Sequence, residues 1–356
     1  MVHLKGLYLQ VKFMKKEKKL EKIGEFGLIR LLTENIKLKN KSTVKGVGDD
    51  AAVLSMGELQ TVVTTDILTE GIHFDLVYTP LKHLGYKAVV VNLSDVYAMN
   101  AIPTQIVISL AISAKFTTEM IEELYEGIHT ACEFYDVDMV GGDTSSSLTG
   151  LTLSITAIGM ASKERIVYRG GAKENDLICV TGDLGAAYIG LQLLEREKLL
   201  FKGDDAVQPD LSGYGYILSR QLKPEARKDV IQKLSEKEIL PTAMIDISDG
   251  LSSDLLHICH TSEKGCRIFF DKIPVAEETR KTAEELNMEP VSIAMNGGED
   301  YELLFTVSLT DFEKVSGIPG IQIIGHITSK NDGCYLSLPD GSLSEITALG
   351  WNSFKE

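Results

Sequence analysis

Residues 81 to 99, LKHLGYKAVVVNLSDVYAM, place apolar side chains almost all round a helical wheel. That pattern predicts a helix buried on every side, not one lying on the surface. Its polar exceptions need partners: Asn92 and Asp95 lie three apart and share one face, a placement that costs free energy unless something binds there. Val62 to Leu68, VVTTDIL, is rich in β-branched residues and predicts a strand, as does Gln105 to Ile112. Met120 to Tyr135 carries apolar residues at 121, 124, 125, 128, 132 and 135, the spacing of an amphipathic helix. A short strand, DMV, then ends in a polar turn, GGDTSSS, and Leu151 to Met160 alternates apolar and small polar residues like a strand with one buried face. Before all of these, GEFGLIRLL at 24 to 32 predicts a short helix.

A polar, glycine-containing link, KERIVYRGGAKEND, follows from residue 163. It marks the expected boundary between an N-terminal domain, 21 to 165, and a C-terminal domain, 166 to 356. The second half opens with a strand, LICVTG, and a helix, DLGAAYIGLQLLE, at whose start Asp183 is the expected cap. A strand, AMID at 243 to 246, runs into ISDGLSSDLLHICHTS, where Ser252 or Ser253 would cap a helix leading to His260. MNGGEDYELLFTV reads as a glycine turn and a strand, and residues 312 to 349 as a helix and short strands with turns at Asp332-Gly333 and Asp340-Gly341. Both halves mix strands and helices without strict alternation, so the expected class is α+β and not a doubly wound sheet.

With 356 residues, two domains are the natural expectation and one large α/β domain the alternative. The formal charge of −15 repels nucleic-acid phosphates and anionic membranes. No apolar run approaches the roughly 18 residues of a membrane span. The first 20 residues, lysine-rich and without a cleavage site, read as an extension and not a signal peptide. Five scattered cysteines without a Cys-x-x-Cys pair argue against a disulfide framework and a thiolate zinc site, and a reducing cytoplasm fits best.

Six segments place an acidic residue in a polar turn or helix face beside apolar sequence: GVGDD (Asp49, Asp50), TTD (Thr64, Thr65, Asp66), NLSD (Asp95), GGDT (Asp143), DISDG (Asp246, Asp249) and GGED (Glu299, Asp300). Any one of them is a turn former or helix cap by default. If they converge, they cannot all remain ionised without a cation among them. Oxygen ligands without a His or Cys set select a hard ion, and Mg²⁺ shares its ligands with phosphate oxygens. An EF-hand starting at Asp246 fails, having Leu251 where glycine belongs and His257 where glutamate belongs. A Walker A loop is excluded by the absence of any Gly-Lys dipeptide. Gly46, Gly48 and Ala51 match a dinucleotide fingerprint only formally, since Asp49 and Asp50 would face the pyrophosphate.

GVGDDAAVL, TTDILTEGIHF, YKAVVVNLSDVYAMNAIP, VGGDT, RGGAK, VTGDLG, DISDGLSSDL and NGGEDYELLF, in this order, closely resemble the thiamine-monophosphate kinase family, of the superfamily that includes aminoimidazole ribonucleotide synthetase. The resemblance covers roughly residues 22 to 356. It implies a two-domain α+β fold whose N-terminal sheet pairs with that of a second subunit, and ATP-dependent phosphorylation of thiamine monophosphate. Carried over by position, it implies that Asp50, Thr64, Thr65, Asp66, Asp95, Asp143, Asp246 and Asp249 hold several Mg²⁺ ions. Gly142, Asp143, Arg169 and Ser248 would contact ATP; His73, Glu299 and Trp351 would contact thiamine monophosphate; and Asp95, Asp143, Asp246 and Arg169 would carry the transfer. Asp49 is expected to shape the turn, and Glu302, His257 and His260 are expected to be structural. Asn100 and Ser353 depart from the family's usual glycine and histidine, and neither is a proposed metal ligand.

Two related activities fit less well. A selenophosphate synthetase needs a reactive residue in an N-terminal glycine-rich segment, yet the first cysteine is Cys132; the hydrogenase-maturation relative ends in cysteine, whereas this chain ends Phe354-Lys355-Glu356. Aminoimidazole ribonucleotide synthetase is the runner-up enzyme, and a non-catalytic nucleotide or metal sensor is the alternative from another class.

Overall fold

The computed structural model describes residues 27 to 348, apart from positions 28, 31, 35, 37 and 56 and the stretch 202 to 210. The chain divides into two units, one of residues 1–37 with 352–356 and one from Leu38 to Trp351. In the first, described residues 27, 29, 30, 32 and 33 are helical, as expected over 24 to 32. The expected extension over 1 to 20, with Trp351 and Ser353, lies outside the described residues.

The second unit holds two sheets. Strands β1 (Thr43–Lys45), β2 (Ala52–Ser55), β3 (Leu59–Thr69), β4 (Ile102–Ser113), β5 (Asp138–Ser147) and β6 (Thr152–Ser162) form the first, in the order β1-β2-β3-β6-β4-β5. All neighbours are antiparallel except β4 and β5. Helices α1 (Leu81–Ala98) and α2 (Thr118–Tyr135) pack together, and α1 lies along β3, β6 and β4. The second sheet contains β7 (Leu177–Thr181), β8 (Ala243–Asp246), β9 (Gly265–Phe269), β10 (Leu303–Val307), β11 (Ile321–Thr328), β12 (Cys334–Ser337) and β13 (Leu343–Glu345), in the order β13-β12-β9-β11-β7-β10-β8. Around it run α3 (Ala186–Phe201), α4 (Gly215–Leu222), α5 (Lys228–Glu236), α6 (Leu251–Ser262), α7 (Glu277–Glu285), α8 (Pro290–Asn296) and α9 (Phe312–Ser316). The α+β expectation is met.

The position of α1 explains its all-round apolar pattern. It touches the first sheet, α2 and, on its remaining side, β8 of the second sheet, so 15 of its 18 residues are buried. A helix walled in by two sheets can carry buried polar groups only where one sheet or the other, or an element packed around it, supplies a partner.

Three local expectations differ from what is observed. GGDTSSS continues the strand begun by DMV and does not turn: β5 runs unbroken to Ser147, because parallel pairing with β4 satisfies a stretch whose glycines and serines suggest a loop. Neither Ser252 nor Ser253 caps α6. Its N-cap is Gly250 at φ 113°, and the Asp254 carboxylate folds back to accept the amides of Asp249 and Gly250. The role expected of Asp183 at α3 falls to Asp300, whose carboxylate accepts the Gly185 amide at 2.8 Å, while Asp183 accepts from the Tyr216 hydroxyl.

The crossing of α1 and α2 depends on two glycines. A Cβ on Gly85 would lie 2.0 Å from the Leu124 carbonyl oxygen, and one on Gly127 would lie 1.8 Å from that of Lys82. Neither neighbour is a flexible side-chain tip, so the helices would have to separate. Gly127→Ala is therefore expected to lower stability by about 2–3 kcal/mol despite its better helix propensity, read by denaturant unfolding. An unchanged or raised midpoint would contradict the packing described here.

Candidate active site

Alternation along β3 directs Thr64, Asp66 and Leu68 toward α1, while Thr65 and Ile67 face the opposite side of the sheet. On α1, Asn92, Ser94 and Asp95 meet three different partners. The Asp66 amide donates to Asn92 Oδ1 at 3.0 Å and the Thr64 hydroxyl to Asp95 Oδ2 at 2.5 Å. The Ser94 hydroxyl donates to Asp246 Oδ2 at 2.6 Å, and Asp246 is the last residue of β8. The motif NLSD thus ties the first sheet to the second.

Asp50 enters from the loop before β2, where Gly48 at φ 112° makes the turn. The adjacent carboxylates point to different tasks. Asp49 accepts the Arg169 backbone amide at 3.0 Å and pairs with Lys45 at 3.4 Å, which is the turn-shaping role expected of it. Asp50 Oδ1 accepts from Arg169 Nη2 at 2.6 Å, while Asp50 Oδ2 is buried without a hydrogen-bond partner.

One oxygen each from Asp50, Asp95 and Asp246 lies within 4.8 Å of the others. Asp50 and Asp246 are buried, and Asp95 retains partial exposure, so the cluster opens at Asp95. Burial raises all three, and repulsion from neighbouring carboxylates adds to it. Asp95 is pushed well above the usual carboxylate range by burial and then by Asp66, Asp246 and Asp50. Burial and Asp50 push Asp246 up to about 7, and burial alone puts Asp66 at about 6. Asp50 is raised by burial against the pull of Arg169. Burial works against the Arg169 guanidinium, yet the Asp50 carboxylate beside it holds it above its ordinary value. One arginine faces more acid than it can neutralise. A hard divalent cation fits the donor set: carboxylate oxygens only, one of them buried without a partner.

A second element of the site lies behind α1. The loops DISDG and GGED are bound backbone to backbone: Ile247 N donates to Glu302 O at 2.7 Å, Tyr301 N to Ile247 O at 2.9 Å and Glu299 N to Ser248 O at 2.8 Å. Glu299 and Tyr301 sit at φ 65° and 52°, left-handed values that side chains rarely adopt unless the surroundings impose them. The Glu299 carboxylate accepts from Lys87 Nζ and Gln221 Nε2, both at 3.1 Å. Lys87 and Gln221 also line a cavity with Leu68, His73, Phe74 and Tyr78. His73 Nδ1 accepts the Thr69 amide at 3.0 Å, which leaves Nε2 as the protonated nitrogen.

The remaining site residues are distributed unevenly. Ser248, which is exposed, and Asp249 stand at the entry to α6, two and three residues beyond Asp246 respectively. Thr65 turns its hydroxyl away from Thr64 and donates to Ile155 O at 3.1 Å. Gly142 and Asp143 lie on β5, at the far edge of the sheet: Asp143 is level with Ser109 of β4, Ser154 of β6 and Ile67 of β3. Three strand spacings, about 14 Å, separate it from β3, and it faces the side opposite Asp66. Within one chain Asp143 therefore does not join the Asp50, Asp95 and Asp246 cluster. Sequence reasoning missed Ser94, Lys87, Gln221 and Asp254. Only Lys87 offered a signal, as a charge in the middle of a helix apolar almost all round.

With this geometry in view, comparisons with known proteins are decisive about ancestry. Residues 48–161 match the AIR synthase related protein, N-terminal domain, and residues 173–333 match the AIR synthase related protein, C-terminal domain. The chain is 35% identical to the thiamine-monophosphate kinase of Aquifex aeolicus over 81% of this chain and 87% of the relative. It is 33% identical to that of Bacillus subtilis over 94% of this chain and 100% of the relative. A solved structure described as AaThiL complexed with AMPPCP and TMP superposes with a TM-score of 0.80 and 32% identity, covering 96% of this chain and 100% of that one. The ordered motifs, the two-sheet fold and these similarities agree: the chain belongs to the thiamine-monophosphate kinase family of AIR synthase related proteins.

Proposed function

We infer that this protein transfers the γ-phosphoryl group of ATP to thiamine monophosphate, giving thiamine diphosphate and ADP. The observation that carries the reading is the Asp50, Asp95 and Asp246 cluster, buried except at Asp95, beside a single arginine, in a chain so similar to a kinase seen with AMPPCP and TMP. An oxygen of the acceptor phosphate forms a bond to the γ-phosphorus while the bond from that phosphorus to the bridging oxygen breaks, and ADP leaves. The acceptor oxygen is already ionised at neutral pH, so no side chain has to remove a proton, and positioning with charge stabilisation suffices.

Asp50, Asp95 and Asp246, with Thr64, Thr65, Asp66, Asp143 and Asp249, are the proposed Mg²⁺ ligands. When bound, Mg²⁺ supplies the positive charge that phosphate transfer needs. Arg169 keeps Asp50 aimed at the cluster, and its Nε, buried without a hydrogen-bond partner, is a donor for a phosphate oxygen. Gly142, Asp143 and Ser248 are the remaining proposed ATP contacts. Glu299, fixed by Lys87 and Gln221, offers a carboxylate for a cationic heterocycle, with His73 and Trp351 as further proposed contacts to thiamine monophosphate. β5 is exposed along nearly its whole length and ends the sheet, an edge open to pairing. A homodimer formed there would explain why Asp143 lies so far from its own chain's carboxylates. A cytoplasmic setting agrees with five free thiols, and no described helix is long and apolar enough to cross a membrane.

The assay is direct: with ATP, Mg²⁺ and thiamine monophosphate the purified protein forms thiamine diphosphate, and Asp95→Asn lowers turnover by about 100-fold or more while remaining folded. Cyclisation of formylglycinamidine ribonucleotide without diphosphate formation would instead favour the runner-up synthetase.

The charge account also predicts a pH dependence. The Asp246 carboxyl is at 3.8 unfolded and about 7 folded, so between those values the folded chain binds the extra proton, and its contribution to stability falls as pH rises. Without divalent cations, Asp246→Asn should match wild type in thermal unfolding near pH 4 and exceed it by roughly 1 kcal/mol at pH 8. A variant less stable than wild type at pH 8 would refute the repulsion.

For the edge strand, Val140→Lys is expected to convert a dimer to monomer by light scattering. A wild-type monomer, or an unaffected dimer, would remove β5 as the pairing edge.

A further inference from the structure

The five cysteines fall into two groups that their spacing does not announce. Cys132 and Cys179 are buried singly among apolar side chains of the larger core. Cys259, Cys266 and Cys334 converge, with all three Sγ atoms within 4.8 Å of one another. Cys259 lies near the end of α6, eight residues beyond its start and about 12 Å along its axis from the carboxylate end. Cys266 is the second residue of β9 and Cys334 the first of β12; these strands run parallel with the two cysteines in direct register. Side chains in register on neighbouring strands share a face, and here that face carries Cys259. The absence of any Cys-x-x-Cys spacing therefore does not keep the thiols apart.

The frame around the cluster is closely fitted. α6 ends at Glu263 in a left-handed conformation, and the Lys264 amide returns to the Cys259 carbonyl at 2.9 Å, so the chain reverses directly from one cysteine toward the next. A Cβ on Gly265 would lie 2.3 Å from the Gly333 carbonyl oxygen, and the Cys266 amide donates to that same oxygen at 3.1 Å. Cys259 and Cys266 are 2% and 1% exposed, whereas Cys334 is partly exposed and gives the cluster one opening to solvent. Thiolates bind a first-row d¹⁰ cation at about 2.3 Å, so three around one ion stand about 4 Å apart. The observed spacing needs a closure of less than about 1 Å.

We propose that Cys259, Cys266 and Cys334 form a three-thiolate site for a soft monovalent cation of the Cu(I) class, which joins the end of α6 to β9 and β12. The softness of an all-sulfur set excludes Mg²⁺ and Ca²⁺. A structural Zn²⁺ site closes with four protein ligands, and among the described residues no fourth His, Cys, Asp or Glu atom joins these three. The site shares no residue with the carboxylate cluster, so its fate and that of the kinase reading are independent.

The test is an anaerobic titration of the reduced full-length protein with Cu(I). Expected are a thiolate-to-copper ultraviolet band that saturates at one equivalent, a rise in melting temperature and no displacement by excess Mg²⁺. Cys334→Ser, at the partly exposed position, should abolish the saturating band, Cys132→Ser should leave it unchanged, and both should retain kinase turnover. Bound Cu(I) should also protect Cys334 of the wild-type protein from alkylation, a readout that needs no variant. Absence of a saturating band in wild type, its persistence in Cys334→Ser, or saturation by Zn²⁺ alone would overturn the assignment.

Discussion

Like charges gathered in a low-dielectric place are the constraint on which the rest of this structure turns. Asp50, Asp95 and Asp246 come from a loop, a helix and a strand end far apart in sequence, yet their oxygens stand within 4.8 Å of one another. Left alone, three buried carboxylates either take up protons or push the elements apart. Arg169 answers one of them at 2.6 Å, and hydroxyl donors from Thr64 and Ser94 steady the other two. The residual negative charge is what makes the place suitable for phosphate chemistry. A protein with a formal charge of −15 has to bring two anionic substrates together, and on the proposed reading this cluster is where a cation brings positive charge to the reacting atoms.

Helix α1 makes the arrangement rigid. Its apolar residues fill the space between the two sheets, and that packing holds Asn92, Ser94 and Asp95 at fixed positions against β3 and β8. The tight crossing through Gly85 and Gly127 places α2 against it, so the helix cannot slide to relieve repulsion. On the other side of the site, the backbone ladder between DISDG and GGED forces Glu299 into a left-handed conformation that stays oriented because Lys87 and Gln221 hold its carboxylate. Strain and charge are both concentrated at the site, and the surrounding core sustains them.

Much of this was legible in the sequence, for identifiable reasons. The buried helix at 81 to 99 follows from its all-round apolar character and the strands at β3, β4 and β6 from β-branched content or alternation, and Asn92 and Asp95 were marked by their polarity on an otherwise apolar helix. The carboxylate set was visible as a repeated local grammar, although not which members meet. Meeting depends on sheet order: Asp66 and Asp143 share a grammar, but three strand spacings and opposite faces separate them. The continuation of β5 beyond DMV was hidden by its glycines and serines, because pairing with β4, and not composition, makes it extended. Asp300 takes the capping role expected of Asp183 because the amide at the start of α3 is met from a loop more than 100 residues away. The cysteines illustrate the same limit: Cys266 and Cys334 meet through a parallel pairing that no short spacing can announce.

The central claim is that the converging carboxylates of Asp50, Asp95 and Asp246 exist to hold a hard divalent cation. The most direct measurement is a crystal structure of the protein soaked with Mn²⁺ in place of Mg²⁺, together with a non-hydrolysable ATP analogue and thiamine monophosphate, with data collected for anomalous scattering. The account predicts an anomalous peak within about 2.0–2.3 Å of oxygens from these three aspartates. Anomalous density confined to the nucleotide phosphates, with no peak among these carboxylates, would contradict it.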